Sequence, residues 1–395
     1  MSEHHRIVIV GGGTAGITVA ARLHRALDNP DLAVIEPSAT HYYQPLWTLV
    51  GGGVAKREAS ARPMAGLIPA GARWIQAEVT RLRPEENGLV TGDGREITYD
   101  YLVVAPGLAL RWDLVEGLEG RVGADGICSN YEYDQCPKTW ETIRSFEGGT
   151  ALFTMPPPPI KCAGAPQKIM YMADDTFRKN GVRDRTEVIY GAATPGIFSV
   201  RKYAETLDEV IRRRGIDARY QQRLAAVRAD EREAVFTGGD GKESVVGYEM
   251  LHLAPPQGPP RFVAESPLAG EGGWCEADRA TLQHPRFPNV FSLGDASGLP
   301  TSKTGAAIRA QAPVLSQNLT GVMAGGQPTA TYDGYTACPL ITGYGKLLMA
   351  EFDYDLNPAP SLPLIDSAKE RWSWYQFKRY GLPWFYWNVM LRGRG

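Results

Sequence analysis

The sequence predicts an α/β protein with two parallel-sheet domains and an aromatic C-terminal segment. Three observations predict the first part. The β-branched run Arg6–Val10 enters the turn Gly11-Gly12-Gly13-Thr14-Ala15-Gly16, and a helix-forming stretch from Ile17 follows it. A second run, Glu187–Tyr190, enters a turn at 191–196 before another helical stretch near Lys202–Arg214. Further short apolar runs end in proline or glycine turns at Tyr99–Gly107, Tyr248–Pro256 and Pro288–Asp295. Strands alternating with helices in this way read as two Rossmann-like dinucleotide-binding units.

The chain has 395 residues, enough for two or three domains, with 43% hydrophobic and 22% charged residues. A net charge of -2 gives no basic field for nucleic acid. No charged, apolar and small-residue leader precedes the first strand, and no run of about 18 apolar residues occurs, so the reading is a cytosolic-side protein without a spanning helix. The five cysteines, Cys128, Cys136, Cys162, Cys275 and Cys338, are odd in number and widely spaced. They form neither a disulfide framework nor a CxxC metal site, and no metal is expected.

In the first unit each position has a physical task. Gly11 allows the tight turn, Gly13 lets a pyrophosphate approach the backbone, and Gly16 lets helix and strand pack closely. The helix N-terminus at Thr14 and Ala15 offers unpaired N–H groups to phosphate. A second strand, Leu32–Ile35, ends in Glu36, 20 residues after Gly16, placed to accept from ribose hydroxyls. These residues suit either FAD or NAD. In the second unit, Gly191-Ala192-Ala193-Thr194-Pro195-Gly196 lacks the middle glycine, Pro195 removes a donor, and no acid closes Ala218–Tyr220. It is expected as scaffold without NAD(P)H.

The strands at Tyr99–Gly107, Tyr248–Pro256 and Pro288–Asp295 resemble pieces of the two-dinucleotide-domain flavoproteins of the glutathione-reductase type. That resemblance implies FAD, with the Asp295 carboxylate on the ribityl chain. Thr304 is expected to cap a helix through about Val322, its N-terminus and Lys303 facing the flavin edge.

Cys162 lies just before a helix expected from Pro166 through about Phe177. With Lys161 beside it, that position favours thiolate. Cys338 follows the later half of the first domain and reads equally well as core or as functional.

The stretches Lys161-Cys162-Ala163-Gly164-Ala165-Pro166-Gln167-Lys168 and Cys338-Pro339-Leu340-Ile341-Thr342-Gly343-Tyr344 resemble the cysteine motifs of sulfide:quinone oxidoreductases, in the branch that includes the mitochondrial enzyme. So do His41–Trp47, Pro300–Thr304 and Tyr386–Gly393. The resemblance covers nearly the whole chain. It implies Cys162 and Cys338 as the redox pair and FAD contacts from Glu36, Gln44, Val79 and Lys303. It also implies hydrogen sulfide and quinone as substrates, with a small acceptor for the sulfane sulfur. Cys128 falls where some branches carry a third cysteine and is read as a bystander; Cys136 and Cys275 are read as structural.

Four of the nine Trp lie between Trp372 and Trp387, interleaved with Tyr375, Phe377, Phe385, Tyr386, Lys369, Arg371, Lys378, Arg379 and Arg392. This mixture suits a bilayer interface, where a quinone enters; a dimer interface or packed lid is the alternative. Ser367–Glu370 is expected as a capping box opening a helix that stops near Gly381. The domain reading is an FAD-binding domain at 1–115 and 263–330, a second Rossmann-like domain at 116–262, and a C-terminal redox and membrane region at 331–395. The expected protein is peripheral (monotopic) on the cytoplasmic side of an inner membrane, with homodimerisation left open. A type II NADH:quinone oxidoreductase, a sulfide dehydrogenase with a cytochrome acceptor, and a non-catalytic FAD-binding protein are the competing readings.

Overall fold

Val8, Val10, Ile7 and Ile9 point to opposite faces of a strand and all four are buried, as a strand covered on both sides requires. In the computed structural model, which describes residues 3–395, they belong to strand Glu3–Val10 at the centre of a seven-stranded sheet. Across the sheet the order is Arg73–Ile75, Leu32–Ile35, Glu3–Val10, Glu96–Val104, Gly88–Thr91 and Val79–Arg83. The chain returns much later to add Val290–Ser292 in parallel to the end of Glu96–Val104. The Ser292 hydroxyl donates to the Val104 carbonyl at 2.9 Å, sealing this return.

The second sheet is wholly parallel, in the order Ile127–Cys128, Met250–His252, Gly149–Met155, Thr186–Ala192, Asp217–Tyr220. Where the chain crosses between the sheets, Ala109–Leu110 and Gln257–Gly258 pair antiparallel. The helix after Thr186–Ala192 begins only at Arg201. The intervening loop is packed inward: Ile197 and Val200 are buried, and the Ile197 carbonyl accepts from Gln167 Nε2 at 3.0 Å.

The hairpin Thr336–Gly343 and Lys346–Phe352 lies between the two cores. Cys338, Leu340, Leu348 and Ala350 pack into the second-sheet core, whereas Ile341, Leu347 and Met349 pack into the first. Alternate side chains on a strand face opposite ways, so one hairpin serves both cores. An ion network fixes its tip to helix Ala165–Lys179. Asp174, fully buried, accepts from Arg178 at 3.0 Å, Arg183 at 2.5 Å and Arg214 at 2.6 Å. Arg214 also donates to Asp175 at 2.7 Å and to the Thr342 carbonyl at 2.6 Å, and Asp175 accepts from the Tyr344 N–H at 2.8 Å.

Helices Ala165–Lys179 and Gly305–Met323 lie where their turn residues predict, and the Thr304 hydroxyl accepts from Ala307 N as a cap. The C-terminal expectation needs correction. Ser367–Glu370 does not cap a helix. Ser367 is buried against the Tyr203 hydroxyl at 3.0 Å, Glu370 pairs with Arg213 at 2.6 Å, and Arg371 N–H donates to Leu347 O at 2.8 Å, which holds the segment extended. The helix starts at Trp372 and does not stop at Gly381. It widens through a π-turn at Phe377–Gly381 and continues as Leu382–Asn388. The wider turn lets Pro383, which has no N–H, sit inside the run. Gly381 is needed there because a Cβ would come within 2.5 Å of the Phe377 ring.

Asp174→Asn should strand three guanidinium partners of a buried carboxylate. The expected loss is about 3–5 kcal/mol of unfolding free energy, read as a lower urea midpoint at unchanged slope. A midpoint equal to that of the parent would remove the network from the account of stability.

Candidate active site

The dinucleotide turn has the geometry its glycines suggest. Gly11 has φ +102°, and a Cβ there would meet the Ala105 carbonyl oxygen at 2.3 Å. A Cβ on Gly16 would meet the Gly11 carbonyl oxygen at 1.8 Å, while one on Gly13 would meet nothing within 4 Å. Open space therefore lies above Gly13, where helix Thr14–Ala26 begins without any side-chain cap. The Thr14 and Ala15 N–H groups are left to a ligand phosphate. Glu36 accepts from Gly12 N–H at 2.7 Å and from Ser38 N–H at 2.8 Å, which fixes its carboxylate at the strand end with lone pairs to spare. These residues fit the diphosphate and ribose of a dinucleotide.

The other predicted cofactor residues fall into two groups. Asp295 follows Gly294 in the tight turn Gly294–Ala296, just after the return strand. Among the described residues no hydrogen bond reaches its half-buried carboxylate, and burial raises its pKa against the pull of Lys303 and Lys161. Lys303 is buried over the Trp274 ring at 3.8 Å and donates to the carbonyls of Asp295 at 2.8 Å and Ser297 at 2.9 Å. Burial brings its pKa down to about 8, with Asp295 opposing the fall. Gln44 is exposed and accepts from Lys161 Nζ at 2.8 Å. Val79 has its side chain buried with Val8 and Val10 on the other face of the first sheet, so it offers a cofactor only main chain.

The fold brings Cys162 and Cys338, 176 residues apart in sequence, to a Sγ–Sγ distance of 2.6 Å. Cys162 has φ +85°, a left-handed conformation that costs a non-glycine residue about 1–3 kcal/mol and that clusters at functional sites. Gly164 permits the approach, since a Cβ there would lie 1.9 Å from Leu340 and 3.0 Å from the Cys338 sulfur. The backbone of Lys161 pairs with that of Lys303, tying the cysteine loop to the Asp295 region.

The charge beside the cysteines is not the predicted one. Lys161 turns to Gln44, and Lys168, from the first turns of helix Ala165–Lys179, donates to Cys162 Sγ at 3.2 Å. A hydrogen bond with Cys338, opposed by burial and reinforced by Lys168, holds the Cys162 thiol well below its ordinary pKa. Burial, together with its hydrogen bond to Cys162, pushes Cys338 well above. Burial works against the Lys168 cation, and the two sulfurs outweigh it, so its pKa is raised. A second buried cation joins them: Lys378, from the π-turn of the C-terminal helix, donates to the Pro45 carbonyl at 3.2 Å. Burial and Lys168 bring its pKa down to about 7.

Lys168 and Lys378 were missed as site residues. Lys168 lies within the quoted cysteine motif, six positions after Cys162, and its place in that motif is the signal that could have found it. Lys378, expected among the interfacial basic residues, is instead buried. Tyr375 and Tyr386, expected among the interfacial aromatics, are also buried. The remaining cysteines stand apart: burial pushes Cys128, Cys136 and Cys275 each up to about 12.

Lys168→Met should shift Cys162 alkylation to higher pH. With the cation gone, the rate midpoint for iodoacetamide on the reduced protein is expected to rise by about 1–3 pH units, followed on the Cys162 peptide by mass spectrometry. An unmoved midpoint would remove Lys168 as the source of thiolate.

Residues 5–140 match the family model described as pyridine nucleotide-disulphide oxidoreductase. The chain is 46% identical to "Sulfide:quinone oxidoreductase, mitochondrial" of Dictyostelium discoideum, over 98% of this chain and 86% of that one. It is 44% identical to the protein of the same name from Mus musculus, over 99% of this chain and 87% of that one. In three dimensions it is similar to the sulfide:quinone oxidoreductase of Aquifex aeolicus, with a TM-score of 0.84 at 20% identity, covering 100% of this chain and 92% of that one. Identity of this extent over nearly the full length of both chains makes this protein a member of the sulfide:quinone oxidoreductase family.

Proposed function

We propose that the protein oxidises hydrogen sulfide through the Cys162–Cys338 pair and a bound FAD, and delivers the electrons to a membrane quinone. Membership of the family implies a flavin. FAD is the form supported by the hydrogen-bonded Glu36, the open space over Gly13 and the unpaired carboxylate of Asp295, whose neighbour Gly294 packs on Ala15. When bound, the flavin supplies two-electron acceptance from a thiolate and two-electron donation to a quinone.

The observation that carries the reading is the pair of sulfurs 2.6 Å apart beside the Lys168 ammonium. In the oxidised pair, hydrosulfide attacks one sulfur and expels the other as thiolate. A thiol of lower pKa leaves faster, and Lys168 stabilises negative charge on Cys162. The persulfide therefore forms on Cys338 and the thiolate on Cys162. A small nucleophile then removes the sulfane sulfur from Cys338. Lys168 holds compensating positive charge beside the sulfurs throughout.

The C-terminal helix supports a membrane role. Trp372, Tyr380 and Trp384 are 67%, 60% and 63% exposed, and Phe377 is exposed with them. Exposed aromatic rings beside basic residues suit the headgroup region, and no helix among the described residues is long and apolar enough to cross a membrane. Our reading is a peripheral protein on the cytoplasmic face of an inner membrane.

The type II NADH:quinone oxidoreductase reading is disfavoured by the names of the relatives and by the inward-packed loop before Arg201. Anaerobic mixing with sulfide should bleach the flavin, and a short-chain quinone should restore it. Cys162→Ser and Cys338→Ser should each lower sulfide-driven quinone reduction by at least about 10³-fold, the scale on which loss of a nucleophile acts. Bleaching by NADH and not by sulfide would promote the other reading. Trp372→Ser with Trp384→Ser should weaken binding to liposomes while leaving sulfide bleaching in place, as measured by co-sedimentation. Undiminished sedimentation would remove these rings from the membrane contact.

A further inference from the structure

The C-terminal helix also reaches the dinucleotide turn. Tyr386 is buried, and its hydroxyl lies 2.5 Å from His41 Nε2 and 2.8 Å from Thr14 Oγ1. His41, also buried, places Nδ1 2.9 Å from the Gly12 carbonyl oxygen. The Tyr386 ring packs on Tyr43 at 4.3 Å between centroids. A closed chain of polar groups thus runs from the first residue of helix Thr14–Ala26 through the C-terminal helix and back to the glycine turn.

The direction of every proton in this chain follows from chemistry. A carbonyl only accepts, so His41 Nδ1–H donates to Gly12. Burial brings the His41 pKa down to about 4, against the pull of the Gly12 carbonyl, so the ring is neutral and Nε2 accepts. Tyr386 must then donate to His41, and its oxygen is free to accept the Thr14 proton. The Thr14 hydroxyl proton is committed to the C-terminal helix, while the Thr14 N–H remains for phosphate. Each group has one orientation, and Tyr386 is the link that joins His41 to Thr14.

We propose that Tyr386 is a positioning residue for the dinucleotide turn, so that seating of the C-terminal helix and retention of the cofactor are one coupled equilibrium. The inference rests on the FAD reading above and goes beyond it. Coupling of this kind is reciprocal: whatever the seated helix contributes to cofactor affinity, the cofactor contributes to seating of the helix. The same segment carries the outward Trp384 and the inward Lys378, so unseating it would disturb the membrane face and the sulfur site together.

The experiment uses the full-length flavoprotein. FAD dissociation constants are measured by flavin fluorescence for the parent, Tyr386→Phe and the same-helix control Tyr380→Phe. Trypsin cleavage after Lys369, Arg371 and Arg379 is followed with and without FAD. Tyr386→Phe deletes one oxygen and leaves His41 Nε2 and Thr14 without their partner, so a roughly tenfold weaker FAD affinity is expected. Tyr380→Phe should not change it. In the parent, FAD should protect the C-terminal sites, and in Tyr386→Phe that protection should shrink. Thr14→Val removes the hydroxyl at the other end of the chain and should weaken FAD in the same direction, which keeps the test available if Tyr386→Phe folds poorly. FAD bound equally well by parent, Tyr386→Phe and Thr14→Val, with equal cleavage in the presence and absence of FAD, would overturn the coupling alone. A parent protein that binds no FAD would overturn the cofactor reading and the coupling with it.

Discussion

The structure turns on an ammonium held 3.2 Å from a sulfur in a buried site. A buried lysine is costly unless an opposite charge faces it, and a buried thiolate is costly for the same reason. Lys168 and Cys162 meet each other's need only if the helix start, the left-handed turn at Cys162 and the hairpin strand with Cys338 hold their positions together. The fold supplies these supports separately. Gly164 lets the loop touch the hairpin, and the Asp174, Asp175 and Arg214 network holds the hairpin tip against the same helix that carries Lys168. The ion network thus lies about two turns along the helix from Lys168 and ties the strand that carries Cys338 to that same helix.

A second convergence is the short segment from His41 to Pro45. His41 bonds the glycine turn, Tyr43 packs on Tyr386, Gln44 meets Lys161, and the Pro45 carbonyl meets Lys378. Five residues therefore join the dinucleotide turn, the cysteine loop and the C-terminal helix. This explains why Lys161 is unavailable to Cys162: its ammonium is spent on Gln44, and the charge has to come from Lys168 on the other side.

Much of this was legible in the sequence because it is local. The glycine turn, Glu36, the Thr304 cap and the start of the helix at Ala165 follow from spacing and backbone chemistry within about 20 residues. The pairing of Cys162 with Cys338 was available only through resemblance, because nothing local links positions 176 apart. The failures were also physical. Ser367 and Glu370 have the spacing of a capping box, but tertiary partners, Tyr203 for one and Arg213 for the other, take both side chains first. Gly381 and Pro383 look like a helix stop, and a π-turn absorbs them where the helix is held inward, by Lys378 on Pro45 within the turn and by Tyr386 on His41 beyond it. Composition marked the C-terminal aromatics as one interfacial group; burial divides them.

That division gives the C-terminal helix its logic. On one side Trp372, Phe377, Tyr380 and Trp384 are exposed, a set that water alone would not favour. On the other, Tyr375, Lys378 and Tyr386 are buried, two of them bonded to the His41–Pro45 segment. A helix tied this firmly inward is not a free anchor that only tethers the protein to a surface. Its outer rings and its inner lysine are parts of one rigid element, so the place where an apolar electron acceptor would leave lipid is fixed relative to the sulfurs. The π-turn carries Lys378 itself and contains Gly381, and its wider winding lets the helix run on through Pro383 to the second inward contact at Tyr386.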